Sequence, residues 1–130
     1  MWLSQFTQAA EINILSERQE FLLRPFLDVF EEKTGTKANV VYLKKGSLER
    51  LKQQPASVDV LLTVDIANLT AIADAGLFQT IQSKVIEQNV PVNYRDPKVL
   101  WTALTACGRV ISYSNEGIKA RELSTYKTLG

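Results

Sequence analysis

Three short segments carry the residues best equipped for chemistry: Ser16-Glu17-Arg18-Gln19, Lys44-Lys45-Gly46-Ser47 and Val64-Asp65-Ile66-Ala67. Each follows an apolar run rich in strand formers and precedes a stretch with helical spacing, so each falls where a strand ends and a helix begins. The free N–H groups and positive dipole end of a helix N-terminus favour anions at such corners. Arg18 adds a cationic fork suited to carboxylate-like oxygens. The chemistry this implies is binding. Catalysis has little to work with, because the chain contains no histidine, which removes Ser-His-Asp, Cys-His and HExxH zinc machinery together. The single cysteine, Cys107, can form neither an intramolecular disulfide nor a CxxC site, and reads as a small buried hydrophobe. No GxGxxG, P-loop or nucleophile constellation is present.

Alternating elements must position those corners. Ile12-Asn13-Ile14-Leu15 reads as a brief strand, after which Leu22, Phe26, Val29 and Phe30 take the i, i+4, i+7, i+8 spacing of one helical face. Pro25 is tolerable only in a first turn, which puts the helix start between Glu20 and Leu23; Thr34-Gly35 supplies the stop. Lys37 to Leu43 reads as a second strand, and Gly46-Ser47 as a turn and N-cap for a short helix toward Gln54, closed by Pro55. Val58 to Val64 is nearly continuous in apolar character, the pattern of a parallel strand covered on both faces. Asp65 then caps a helix whose inward positions are Ile66, Leu69, Ile72 and Ala73, stopped at Gly76. Strand-helix alternation of this kind predicts an α/β fold with an open, mostly parallel sheet and flanking helices, with the ligand edge at the carboxyl ends of the strands.

The remainder reads differently. Ser83 caps a short helix through Val85 and Ile86, residues 90–97 are rich in turn formers, and Leu100 to Thr105 and Arg109 to Ser114 read as two β segments. Ser124 to Gly130 reads as the opening of another helix, so the fold is expected to be interrupted there. Residues 1–10 lack a basic n-region and an apolar h-region, and are expected to be a signal remnant or disordered stub with no intact signal peptide. Fifteen Lys+Arg against fourteen Asp+Glu give a net charge of +1 with no basic block, which argues against nucleic acid as a partner.

Read in order, Ser16-Glu17-Arg18-Gln19, Phe30-Glu31-Glu32-Lys33-Thr34-Gly35, Lys44-Lys45-Gly46, Asp59-Val60-Leu61-Leu62-Thr63-Val64-Asp65-Ile66 and Gly108-Arg109-Val110-Ile111 closely resemble the first third to half of the bacterial ferric-iron-binding periplasmic proteins, the solute-binding components of iron ABC transporters. The resemblance runs from about Glu11 to Gly130. It implies a periplasmic-binding-protein type II-like lobe over residues 11–104, followed at 105–130 by crossover strands and the start of a second lobe, where the chain would be truncated. It also implies a periplasmic location, an inner-membrane ABC permease as partner, and ferric iron held with a carbonate-type anion. Phenolate oxygens from a second-lobe tyrosine pair suit so hard a cation; that pair would lie beyond Gly130.

Position by position, the resemblance makes Arg18, Gln19, Asp65, Thr105 and Arg109 the anion- or ligand-binding residues, with no metal ligand of this chain's own. Plainer readings stand beside these: Arg18 as a solvated or helix-pairing arginine, Asp65 as an N-cap, Thr105 as an ordinary strand residue, Arg109 as a lobe-bridging or surface-paired arginine, and Lys44-Lys45 as a solvated turn. Two departures bear on capture: Leu15 replaces the family's tyrosine, and Thr105-Ala106-Cys107-Gly108-Arg109 lacks one crossover arginine. The expectation is therefore a non-catalytic, iron-related binder impaired as it stands. The rival is an interaction protein or degenerate fragment that pairs through an unfinished sheet edge, as a homodimer or with a complementing second-lobe chain.

Overall fold

The computed structural model describes residues 10–106. Within them β1 (Glu11–Ser16), α1 (Glu20–Thr34), β2 (Lys37–Tyr42), α2 (Ser47–Gln53), β3 (Val60–Leu62), α3 (Ile66–Asp74) and α4 (Lys84–Asn89) follow one another, with 3-10 turns at Pro55–Ser57 and Val92–Tyr94. The three strands form one parallel sheet in the order β2-β1-β3. β1 is central, and its alternating side chains feed two cores. Ile14 packs with Leu23, Leu27 and Ala38 on the α1 side; Leu15 packs with Leu51 and Ile72 on the α2/α3 side. Leu15 and Ile72 are fully buried, and a side chain of that size contributes about 1.5–3 kcal/mol when removed from water.

The structure departs from the expected pattern in four places. The inward row of α1 is Leu23 and Leu27, whereas Leu22, Phe26 and Val29 are exposed. Apolar residues cover so wide an arc of this helix that spacing alone admits two faces. Glu31 decides between them: it continues the Leu23-Leu27 row and accepts the Ala38 N–H of β2 at 2.8 Å, turning that row toward the sheet. Pro25 lies in the second turn of α1, where its missing N–H leaves the Phe21 carbonyl without its usual donor. β3 is shorter than Val58–Val64: the Asp59 carboxylate takes the Asn13 N–H at 2.7 Å in place of a strand carbonyl, and β1 ends where the Glu17 N–H reaches the Leu62 carbonyl at 2.8 Å. Leu100 to Thr105 form no strand, only an antiparallel bridge between Arg95 and Thr102. Asp96 interrupts that ladder, its carboxylate accepting the N–H groups of Lys98 and Leu100. The expected segment from Arg109 to Ser114 and the helix from Ser124 lie outside the described residues.

Candidate functional site at the carboxyl ends of the strands

The three corners singled out in the sequence converge. Glu17, Lys44, Lys45, Gly46, Asp65 and Asn68 line an open cavity of about 540 Å³ beyond the ends of β1, β2 and β3. β2 ends at Tyr42, and the Leu43 N–H still donates to the Ser16 carbonyl at 2.8 Å, so Lys44 and Lys45 overhang the sheet edge. Gly46 lies at φ 91°, a left-handed conformation that costs a side-chain-bearing residue about 1–2 kcal/mol, and it turns the chain into α2.

One carboxylate ties the corners together. Glu17 Oε1 accepts from the Ser47 hydroxyl and, at 2.8 Å, from Asn68 Nδ2. Ser47 is 1% exposed, so its hydroxyl depends on this acceptor. The expected role of Ser47 as N-cap is thereby corrected: it is the first residue of α2, Gly46 precedes it, and its side chain turns to Glu17 instead of capping. Asp65 does cap, its Oδ1 accepting the Asn68 N–H at 2.7 Å. Ser16, also buried, receives the Arg18 N–H on its hydroxyl at 3.0 Å and fixes the bend after β1.

The five expected ligand residues separate into groups. Arg18 Nη2 donates to Thr105 Oγ1 at 3.1 Å, joining the first corner to a segment 87 positions away. Gln19 occupies the N-cap position of α1, exposed and with no side-chain capping bond. Asp65 lines the cavity while capping α3. Arg109 lies outside the described residues. The sequence places Glu17 in the first corner without pointing to its partners, and Asn68 was passed over. A glutamate one residue past a strand, with serine and asparagine at the opening turns of the next two helices, was the available signal. Lys44 and Lys45 are exposed, as a solvated turn requires, yet they also line the cavity.

Tyr42 packs against the α1-side core, and its desolvation raises the phenol pKa above the ordinary tyrosine value. It lies away from the cavity, as an aromatic in a β segment should. Tyr94 is part of the 3-10 turn at Val92–Tyr94, and Tyr113 and Tyr126 lie outside the described residues. Among the described residues, no three acidic or cysteine side chains gather as a metal would require.

Residues 15–116 match the family of bacterial extracellular solute-binding proteins. The chain belongs to that family. It is 40% identical over 122 residues to iron uptake protein A1 of Synechocystis, covering 92% of this chain and 34% of that relative. The ferric iron-binding protein A of Mannheimia haemolytica, solved in an open conformation, is 45% identical with a TM-score of 0.71, over 75% of this chain and 31% of that one. A Trichodesmium protein solved with iron and citrate ligands is 35% identical with a TM-score of 0.66, over 72% of this chain and 30% of that one. The described residues form part of a type II periplasmic binding protein fold, as the resemblance implied, and its parallel α/β sheet is the one the strand-helix alternation led one to expect. The chain spans about a third of the length of the relatives it matches.

Proposed function

We propose that this solute-binding chain supplies one wall of a ferric-iron site, capturing the metal as cargo together with a carbonate-type anion for a periplasmic ABC import system and its inner-membrane permease. The observation that carries this reading is the meeting of Arg18 with Thr105 at the strand-end edge, two residues that the resemblance assigns to the anion. A guanidinium that donates to one neutral hydroxyl keeps further N–H groups for an anion, and the uncapped N-terminus of α1 at Gln19 lies directly beside it. Asp65 contributes by holding the α3 corner, and Arg109 by adding a second cation. Neither the chemistry nor the family kinship calls for an enzyme.

A hard trivalent cation is held tightly when oxygen donors surround it, and among the described residues no tyrosine lines the cavity, so these residues by themselves hold it weakly. The test is a ferric citrate or ferric carbonate titration followed by tryptophan fluorescence in the parent chain and in Arg18→Ala. The reading expects weak, saturable quenching that loses about tenfold in affinity in the variant. Quenching that does not saturate, or that is indifferent to Arg18, contradicts it. A tight coloured complex would overturn the claim of impairment.

A further inference from the structure

We propose that the outer face of α1 docks the chain on the permease that receives its cargo, through an apolar groove edged with basic side chains. This rests on the import reading and adds a contact surface to it. Phe21, Leu22, Pro25, Phe26 and Val29 are all exposed, Phe21 at 69% and Phe26 at 68%. Helical spacing winds them into one stripe about 12 Å long, turned away from Leu23 and Leu27, which hold the helix to the sheet. Single exposed apolar residues are ordinary, whereas a contiguous stripe with two phenylalanines is the kind of patch that partners cover.

Position, area and charge choose the occupant. Phe21 stands two residues beyond Gln19, so the stripe begins at the ligand edge, where a partner taking the cargo has to touch the chain. The five side chains present roughly 400 Å² of apolar surface. Two copies packed stripe to stripe would bury roughly 800 Å², short of the roughly 1,200–2,000 Å² of a stable interface, while a contact made and released at each delivery suits the low end of that scale. The sequence of α1 holds four acidic and two basic side chains, so the helix is negative overall. An anionic lipid surface repels it, and it lacks the Lys/Arg-rich flank of a helix that lies on membranes. A protein groove with cations at its edges attracts the same helix.

The test uses the full chain in cells that also make the permease of its transport system. The photo-reactive residue p-benzoylphenylalanine is placed at Phe21, at Phe26 or, as a control, at Val85 of α4, which is likewise 68% exposed, and mass spectrometry identifies the peptide joined on illumination. The probes at Phe21 and Phe26 are expected to join a permease subunit and the probe at Val85 to leave it unlabelled. With the probe moved to Val29, a Phe21→Ser/Phe26→Ser double variant should lower the yield of that adduct about tenfold. Its far-UV circular dichroism and its ferric citrate titration should match the parent, because none of the stripe residues lines the cavity. If the permease adducts form in a chain that binds no ferric probe, the docking proposal holds and the iron reading falls. If ferric citrate binds saturably and no permease adduct forms, docking is overturned while the iron reading stands. Adducts confined to lipid, to a second copy or to residues 1–9 or 107–130 of the same chain, or an equal permease yield at Val85, would also overturn it.

Discussion

At the β3–α3 corner the residue before the helix, Asp65, turns its carboxylate onto the Asn68 N–H, whereas at the β1–α1 corner the equivalent Gln19 leaves its side chain exposed and caps nothing. Both corners end a parallel strand and begin a helix, so local geometry does not distinguish them. Commitment does. The β3–α3 corner is closed by its own side chain and serves stability; the β1–α1 corner keeps free N–H groups, an exposed amide and the partly engaged Arg18. Between them Glu17 belongs to the first corner by position and to the other two by its hydrogen bonds.

The largest effect should come from breaking that link. Glu17→Ala strands the buried Ser47 hydroxyl and the Asn68 amide, and each lost acceptor costs about 1–3 kcal/mol, so urea unfolding is expected to show a loss of about 2–3 kcal/mol. Glu17→Gln keeps a carbonyl oxygen there and should recover most of it. Parent-like stability for the alanine variant would remove Glu17 as the tie between corners.

Asp65→Ala comes next. Loss of an N-cap destabilises by about 1 kcal/mol, and Asp65→Asn should restore it, because an amide oxygen caps nearly as well. Gln19→Ala sharpens the contrast from the other side: stability should stay within about 0.5 kcal/mol of the parent while affinity for ferric citrate falls. A stability loss at Gln19 matching that at Asp65 would erase the distinction between the corners.

The smallest effect is at the opposite end of α1. Glu31 has its pKa lowered, first by the Ala38 N–H and then by Arg24, against desolvation. A carboxylate whose folded pKa is depressed contributes stability above its unfolded value, near 4.5, and loses it as pH falls through the lower folded value. Thermal melts of Glu31→Gln should therefore fall less steeply below about pH 5 than those of the parent. Equal slopes would show that this bond has no weight.

The α/β class and the three corners were legible because period-2 and period-3.6 patterns alternate cleanly and end in turn chemistry. Asp65 was legible too, since a cap acts within three residues. The face of α1 was not: residues 21–30 are apolar on almost every side, and the choice is made by a bond to β2 that spacing does not encode. The Glu17-Ser47-Asn68 junction escaped for a similar reason, as it joins residues 30 and 51 positions from Glu17. The strand expected at Leu100–Thr105 failed because the Asp96 carboxylate competes locally for backbone donors. The meeting of Arg18 and Thr105 was implied only by kinship, since sequence spacing says nothing about contacts of that range.

The central claim is best tested by the paramagnetism of the proposed cargo. When ferric citrate is titrated into the uniformly 15N-labelled chain, amide resonances near the metal broaden and distant ones do not. Broadening confined to residues 16–19, 44–47 and 64–68 together with Thr105 is the predicted result. Broadening centred on the outer face of α1, or none at millimolar ferric citrate, would contradict it.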